Sequence, residues 1–99
     1  MKIYFVYLLT NPKRTVLYIG VTNNLMRRLE EHLENEGNRR TFAGQYFCNL
    51  LMHWETFGDI KQAIAGEKEL KGWRRPKKDA LIAVDNPEWK DLSPLIFGE

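Results

Sequence analysis

The 99-residue sequence has a single cysteine, Cys48, and no long apolar run. One cysteine excludes a disulfide within the chain and any zinc site built from several cysteines. No segment approaches the roughly 20 consecutive apolar residues that a transmembrane helix needs. The first residues, MKIYFVY, lack the small-residue cleavage site of a signal peptide. We therefore expect a cytoplasmic protein that does not act at a membrane.

The composition also lacks any strong bias. Hydrophobic residues make up 43% of the chain and charged residues 28%, which are ordinary values for a globular protein and argue against disorder. The length is that of one domain, so we predict a single domain over residues 1–99.

Net charge is low, +2 at pH 7, but it is unevenly distributed along the chain. Residues 61–78 contain seven basic and two acidic side chains, whereas residues 79–99 contain one basic and five acidic ones. A local excess of cations attracts phosphate groups even when the whole chain is nearly neutral. The segment indicates either contact with a nucleic-acid backbone or an ordinary solvated helix surface. The candidate contacts are Lys68, Lys71, Arg74, Arg75, Lys77 and Lys78.

Two apolar segments near the N-terminus predict a β-hairpin. Residues 2–10 and 16–22 are rich in β-branched and aromatic side chains, and residues 11–15 between them are turn formers. Neither segment alternates cleanly between apolar and polar residues, so we expect the hairpin to lie centrally in its sheet. A turn centred near Pro12 and Lys13 places Tyr7 directly opposite Tyr18.

Leucines at intervals of four between residues 25 and 33 predict an amphipathic helix. Asn23 or Asn24 is a suitable N-cap for this helix, and Gly37 is a suitable stop. Arg28 and His32 are also four residues apart, so we expect them to lie one turn from each other on a neighbouring stripe.

The second half of the chain predicts a polar loop over residues 37–45 and a third strand, with room for a bulge, over 46–57. Helices follow over residues 60–73, capped by Asp59, and over 77–85. The order β-β-α-β-α-α predicts an α+β domain with a small three-stranded mixed or antiparallel sheet flanked by helices. Glu67 falls on the apolar stripe of the first of these helices. A buried carboxylate is costly unless it binds a metal or pairs with a cation, here Arg28 or Lys71.

Several short motifs occur in order along the chain. They are FVY at residues 5–7, YIG at 18–20, VTNNL at 21–25, RRLEEH at 27–32, EKELKGWRR at 67–75 and NPEWKDL at 86–92. This set resembles the GIY-YIG nuclease family, especially its small single-domain bacterial members, over nearly the whole chain. Two positions depart from the family pattern. Phe5 replaces the first glycine of the family motif, and Gly66 replaces a basic residue that many relatives carry before the glutamate.

The resemblance implies a metal-dependent endonuclease that hydrolyses phosphodiester bonds in DNA, with structural or weak sequence selectivity. Tyr7 and Tyr18 would lie beside the scissile phosphate, and one of them would assist deprotonation of the attacking water. Arg28 would neutralise the phosphate, and His32 would orient groups or relay a proton. Glu67 would bind one divalent ion, Mg²⁺ or Mn²⁺, which suits a hard cation that often takes only one or two protein carboxylates.

Other interpretations stay open at this point. Each tyrosine taken singly is explained by core packing, and only the combination with Arg28 and Glu67 favours catalysis. Gly66 motivates a second hypothesis, a catalytically weak or inactive nucleic-acid-binding module. A third is a protein-interaction domain with the aromatic-rich tail at the interface. Asn86 is a looser match to a late asparagine of the family and a candidate substrate contact. RNA is an alternative substrate, and the sequence does not specify an oligomeric state.

Overall fold

The computed structural model describes residues 2–98 as a three-stranded antiparallel sheet with helices on both faces. The strands are β1 (Tyr4–Thr10), β2 (Leu17–Thr22) and β3 (Leu50–Phe57), and their order in the sheet is β2-β1-β3. The helices are α1 (Leu25–Glu34), α2 (Phe42–Gln45), α3 (Ile60–Gly72), α4 (Arg75–Asp85) and α5 (Ser93–Phe97). The predicted α+β class with a three-stranded sheet is confirmed. Two short helices, α2 and α5, extend the predicted order of elements.

The register of the β1–β2 hairpin differs from the prediction. Tyr7 pairs with Gly20, and Tyr18 pairs with Leu9. The two tyrosines therefore lie on the same face as diagonal neighbours, because side chains two residues apart on a strand point the same way. Only β1 is central, since β2 forms one edge of the sheet.

A wider loop than predicted causes this shift in register. Asn11 Oδ1 accepts hydrogen bonds from the backbone N–H groups of Thr15, at 2.8 Å, and Val16, at 3.0 Å. Arg14 adopts a left-handed conformation with φ 57°. These contacts organise residues 11–16 as one loop, and the centre of the turn moves towards the C-terminus.

The sides of the sheet carry two separate hydrophobic clusters, because successive residues of β1 point to opposite faces. We call the first side the apolar face; α3 and α4 cover it, and its buried members are Val6, Leu8, Ile19, Met52, Ala63, Leu70 and Ile82. We call the second side the tyrosine face; α1, α2 and α5 pack on it. Its buried members are Tyr7, Leu9, Leu25, Leu29, Ala43, Cys48 and Leu51.

The helix and strand boundaries follow local capping and pairing. Asn24 Oδ1 accepts a 3.0 Å hydrogen bond from the Arg27 backbone N–H and begins α1, as predicted. This helix ends at Glu34, before Gly37, and Leu33 is 49% exposed rather than buried with the other leucines. The third strand begins at Leu50 rather than at residue 46, and its pairing with β1 contains the expected bulge. No helix within residues 2–98 is both long and apolar enough to span a membrane.

Candidate active site

Three of the predicted site residues form one cluster on the tyrosine face. Tyr7 is completely buried, and its hydroxyl shares a 2.9 Å hydrogen bond with His32 Nε2. The ring centroids of Tyr7 and Tyr18 are 6.2 Å apart, and His32 lies 5.8 Å from the first ring and 5.2 Å from the second. Strands β1 and β2 supply the tyrosines, and α1 supplies the histidine across them.

Gly20 provides the space that Tyr7 occupies. The two residues are paired in the sheet, and a Cβ atom at position 20 would lie 2.5 Å from the Tyr7 hydroxyl oxygen and 2.6 Å from Cζ. Non-bonded atoms do not approach so closely, so only glycine lets the ring lie across β2. The motif indicated this glycine, but the sequence did not indicate its physical reason.

Arg28 lies one helical turn before His32. Its Nη1 donates a 2.8 Å hydrogen bond to Glu31 Oε2, and its side chain is 35% exposed. Burial alone lowers the pKa of Arg28, but Tyr7 and Glu31 more than offset this and raise it above its ordinary value. The guanidinium therefore stays charged. Glu31 lies three residues after Arg28, and this spacing is the sequence signal for the contact.

The buried pair formed by Tyr7 and His32 is electrically neutral at pH 7. Burial lowers the pKa of His32 to about 4, and the charge of Arg28 acts in the same direction. Burial also raises the pKa of Tyr7 well above its ordinary value; Tyr18 adds to this effect and Arg28 opposes it. Tyr18 is only half-buried, so it is the tyrosine of the cluster with access to solvent.

Two grooves open beside Tyr18. The histidine groove has a volume of about 160 Å³ and is lined by Tyr18, Arg28, His32, Asn35, Thr41, Phe42 and Ala43. The basic groove has a volume of about 300 Å³ and is lined by Leu17, Tyr18, Ile19, Phe42, Lys71 and Lys78. Tyr18 and Phe42 line both grooves, so these two rings lie between them. Nothing in the predicted polar loop indicated a role for Phe42.

Glu67 lies on α3, and its side chain is 15% exposed. Its Oε1 is 3.2 Å from Lys71 Nζ, so one of the two ion pairs left open by the sequence is present, whereas Arg28 pairs with Glu31. Lys71, the partner of this carboxylate, lines the basic groove. Across residues 2–98 there is no group of three or more His, Cys, Asp or Glu side chains arranged to hold a metal ion. Within the described residues, any cation bound at Glu67 therefore has at most two such protein ligands.

Gly66 packs against the end of β3. A Cβ atom at this position would lie 2.9 Å from Cζ of Phe57. Glycine therefore permits the close approach of α3 to Phe57. The sequence showed Gly66 only as a departure from the family pattern, because it does not show which residues of α3 and β3 come into contact.

The predicted basic contacts divide into structural and exposed side chains. Arg75 pairs with Asp79 at 2.7 Å and donates to two backbone carbonyls of the β1–β2 loop, at 2.8 and 3.2 Å. Lys77 Nζ lies 4.1 Å from the ring centroid of Trp73. The contacts of Arg75 join α4 to the β1–β2 loop, so this side chain has a structural role. Lys68 and Arg74 are exposed, and two further cations line the basic groove, Lys71 and Lys78.

Asn86 is 5% exposed and forms part of the structure of the C-terminal segment. Its Nδ2 donates to the backbone oxygens of Met52, at 3.3 Å, and Lys90, at 2.8 Å. Its Oδ1 accepts a 2.9 Å hydrogen bond from the Lys90 N–H. These contacts engage both polar atoms of the side chain, so we replace the predicted substrate contact with a structural role.

A family model described as the GIY-YIG catalytic domain matches residues 3–79. The chain belongs to the GIY-YIG family. The family assignment made from the short motifs is therefore confirmed. The GIY-YIG match includes Tyr7, Tyr18, Arg28, His32 and Glu67, and it ends before the asparagine at position 86.

The relatives of this GIY-YIG chain include several UPF0213 proteins. One from Natronomonas pharaonis is 38% identical over 80 residues, which cover 81% of this chain and 91% of the relative. Another, from Bacillus velezensis, is 35% identical over 80% of this chain and 76% of its own length. The solution NMR structure of the UPF0213 protein BH0048 from Bacillus halodurans aligns with a TM-score of 0.56 and 25% identity. That alignment covers 94% of this chain and 96% of the other.

Proposed function

We propose that this GIY-YIG domain is a divalent-metal-dependent nuclease that hydrolyses phosphodiester bonds in DNA. The observation that carries the proposal is that Tyr18, Arg28 and His32 line the histidine groove, with the buried Tyr7 in contact with His32. Phosphodiester hydrolysis needs an activated water, neutralisation of the phosphate charge and a route for protons. Side chains suited to each of these tasks meet at this one place.

Arg28 supplies the charge for the phosphate. Its guanidinium lines the histidine groove and remains protonated. Glu31 engages Nη1, so other N–H groups of the planar fork are left to donate to phosphate oxygens. The stabilisation increases as negative charge develops on these oxygens in the transition state.

Tyr18 is the tyrosine that we assign to the attacking water, because it lines both grooves whereas Tyr7 is completely buried. In the reaction the water oxygen forms a bond to phosphorus as the bond to the leaving oxygen breaks. The water loses a proton, and the leaving oxygen gains one. We assign the relay of this proton to His32, which lines the histidine groove and contacts the Tyr7 hydroxyl. The hydrogen bond shared with Tyr7 fixes the histidine ring.

Glu67 fits a single magnesium or manganese ion. Magnesium is commonly held by one or two carboxylates, with water and substrate phosphate completing its shell. Such an ion, when bound, supplies Lewis-acid stabilisation and lowers the pKa of a bound water. Binding it requires Glu67 to exchange or share its contact with Lys71, which is 3.2 Å away.

The alternative of an inactive nucleic-acid-binding module loses its main support. Gly66 motivated that alternative, and its contact with Phe57 gives this glycine a structural explanation that is independent of catalysis.

The decisive experiment compares Glu67→Gln with Glu69→Gln, because both carboxylates lie on α3 but Glu69 is exposed. Supercoiled and linear DNA are incubated with each purified protein in Mg²⁺ or Mn²⁺, and nicked and cut products are quantified. We expect Glu67→Gln to lose at least about 100-fold in rate, on the scale of removing one electrostatic contribution to the transition state. We expect Glu69→Gln to cut like the wild type.

Arg28→Met and Arg27→Met form a second matched pair on α1, since Arg27 is 61% exposed. We expect only the first to lose activity. Equal cleavage by the wild type and Glu67→Gln would overturn the assignment. DNA binding without cleavage in either metal would favour the binding module instead.

A further inference from the structure

Three aromatic side chains, Tyr18, Phe42 and Tyr46, lie next to one another in a row that begins at Tyr18. The rings of Tyr18 and Phe42 are inclined by only 26° with centroids 6.5 Å apart, and those of Phe42 and Tyr46 are 4.8 Å apart. We use the term aromatic ladder for these three residues. Phe42 is 52% exposed and Tyr46 is 43% exposed. Two large aromatic side chains thus stand half in solvent beside a candidate active site, where they contribute little to the core.

The ladder rests on an anchored turn. Thr41 Oγ1 accepts a 3.0 Å hydrogen bond from the Gly44 N–H and begins α2. The Gly44 carbonyl in turn accepts a 2.8 Å hydrogen bond from the Gly37 N–H. A Cβ atom at position 44 would lie 2.6 Å from two backbone oxygens, so this turn is packed directly against the chain that follows α1. The exposed rings are therefore held in place.

Cations flank the ladder on both sides. Phe42 lines the histidine groove together with Arg28, and it lines the basic groove together with Lys71 and Lys78. Exposed aromatic rings between cationic side chains complement a nucleic-acid strand, which alternates flat bases with phosphates. An apolar protein partner would instead require apolar neighbours around the rings.

We propose that the aromatic ladder binds unpaired bases of single-stranded DNA and so makes the domain selective for single strands over duplexes. This inference rests on the proposed function, whose substrate it specifies. Every base has a flat face that can stack on an aromatic side chain, so such binding is tolerant of sequence. In a duplex the neighbouring bases cover these faces. The phosphates beside a stacked base face Arg28 on one side and Lys71 and Lys78 on the other.

The test measures binding by fluorescence anisotropy, in EDTA, so that cleavage does not enter the result. A labelled single-stranded oligonucleotide is compared with the duplex of the same sequence. We expect Phe42→Ala to weaken single-strand binding at least tenfold and duplex binding less than twofold. Phe42→Tyr, which keeps an aromatic face, should stay within threefold of the wild type. The control is Leu95→Ala on α5, where Leu95 is 69% exposed, and it should change neither affinity.

Phe42→Leu separates stacking from folding, because it retains an apolar side chain without an aromatic face. We expect it to bind single strands as weakly as Phe42→Ala while its melting temperature stays near that of the wild type. Wild-type affinity in Phe42→Leu, an equal loss on single strands and duplexes, or preference of the wild type for duplex would each overturn the proposal. So would tighter binding of RNA of the same sequence. Failure of the nuclease assay leaves this binding test unaffected, so the two proposals can fail separately.

Discussion

The two faces of the sheet differ in what they bury. The buried hydrophobic cluster of the apolar face consists of hydrocarbon and thioether side chains from the sheet, α3 and α4. The tyrosine face buries a phenol and an imidazole among its leucines, and these two groups hydrogen-bond to each other. Across residues 2–98 no buried side-chain nitrogen or oxygen lacks a hydrogen-bond partner. The comparison teaches that a small domain can hold a phenol and an imidazole in its interior when the two groups satisfy each other's hydrogen bonds.

The first prediction compares neighbouring residues of β1, and it has the largest expected effect. Leu8→Ala should lower the free energy of unfolding by about 2–5 kcal/mol, because Leu8 is completely buried on the apolar face. Tyr7→Phe should lower it by about 1–3 kcal/mol, because His32 Nε2 loses its partner. Urea unfolding measures both values. In the cleavage assay, Tyr7→Phe should lose more activity than Leu8→Ala for each kcal/mol of stability that it loses. A smaller stability loss for Leu8→Ala than for Tyr7→Phe would contradict the comparison.

The second prediction concerns pH. The pKa of His32 is about 4 in the folded chain and 6.5 ordinarily, so between these values the unfolded chain takes up a proton that the folded chain does not. The stability contributed by the neutral imidazole is present above pH 6.5 and lost as the pH falls towards 4. The loss amounts to roughly 2–3 kcal/mol from this group.

His32→Gln provides the measurement for this pH effect. Glutamine keeps a polar side chain but does not titrate, so the difference in unfolding free energy between the two proteins should change by about 2 kcal/mol between pH 7.5 and 4.5. Carboxylates titrate in both proteins and cancel in the difference. A pH-independent difference would show that His32 does not carry this dependence.

The third prediction tests the contact between Gly66 and Phe57 on the apolar face, and its expected effect is the smallest. Gly66→Ala adds helix propensity worth up to about 1 kcal/mol, but its methyl group meets the ring of Phe57. We expect it to be neutral or destabilising in the wild type. In a Phe57→Ala background it should stabilise by about 0.5–1 kcal/mol. Thermal unfolding of the four proteins gives the coupling, and an identical effect in both backgrounds would remove the packing explanation.

Periodicity and capping residues were sufficient to predict the long elements of the fold. The resemblance to the GIY-YIG family also implied a common site for the two tyrosines, Arg28 and His32, and three of these side chains meet on the tyrosine face. The predicted hairpin register was wrong because the register depends on hydrogen bonds that the Asn11 side chain accepts, which the pattern of apolar residues does not specify. Helix α2 has four residues, too few to show a helical period, so the position of Phe42 was not predictable.

Long-range contacts account for the remaining differences. Arg75 bonds to carbonyls about 60 residues earlier in the chain, and Asn86 bonds to a carbonyl 34 residues earlier. Both side chains looked available for substrate because the sequence shows their type and spacing but not their partners. The cations that line the basic groove, Lys71 and Lys78, can be distinguished from these structural ones only in the folded chain.

The close fit of Tyr7 over Gly20 has a consequence for how sequences of this kind can change. The two short segments that define the family are, in this chain, parts of one contact. A larger residue at position 20 can be accommodated only with a smaller residue at position 7, and that change removes the hydroxyl that fixes His32. Selection therefore acts on the two positions jointly. A descendant that abandons the site is free to replace both, whereas one that keeps it inherits the tyrosine and the glycine as a pair.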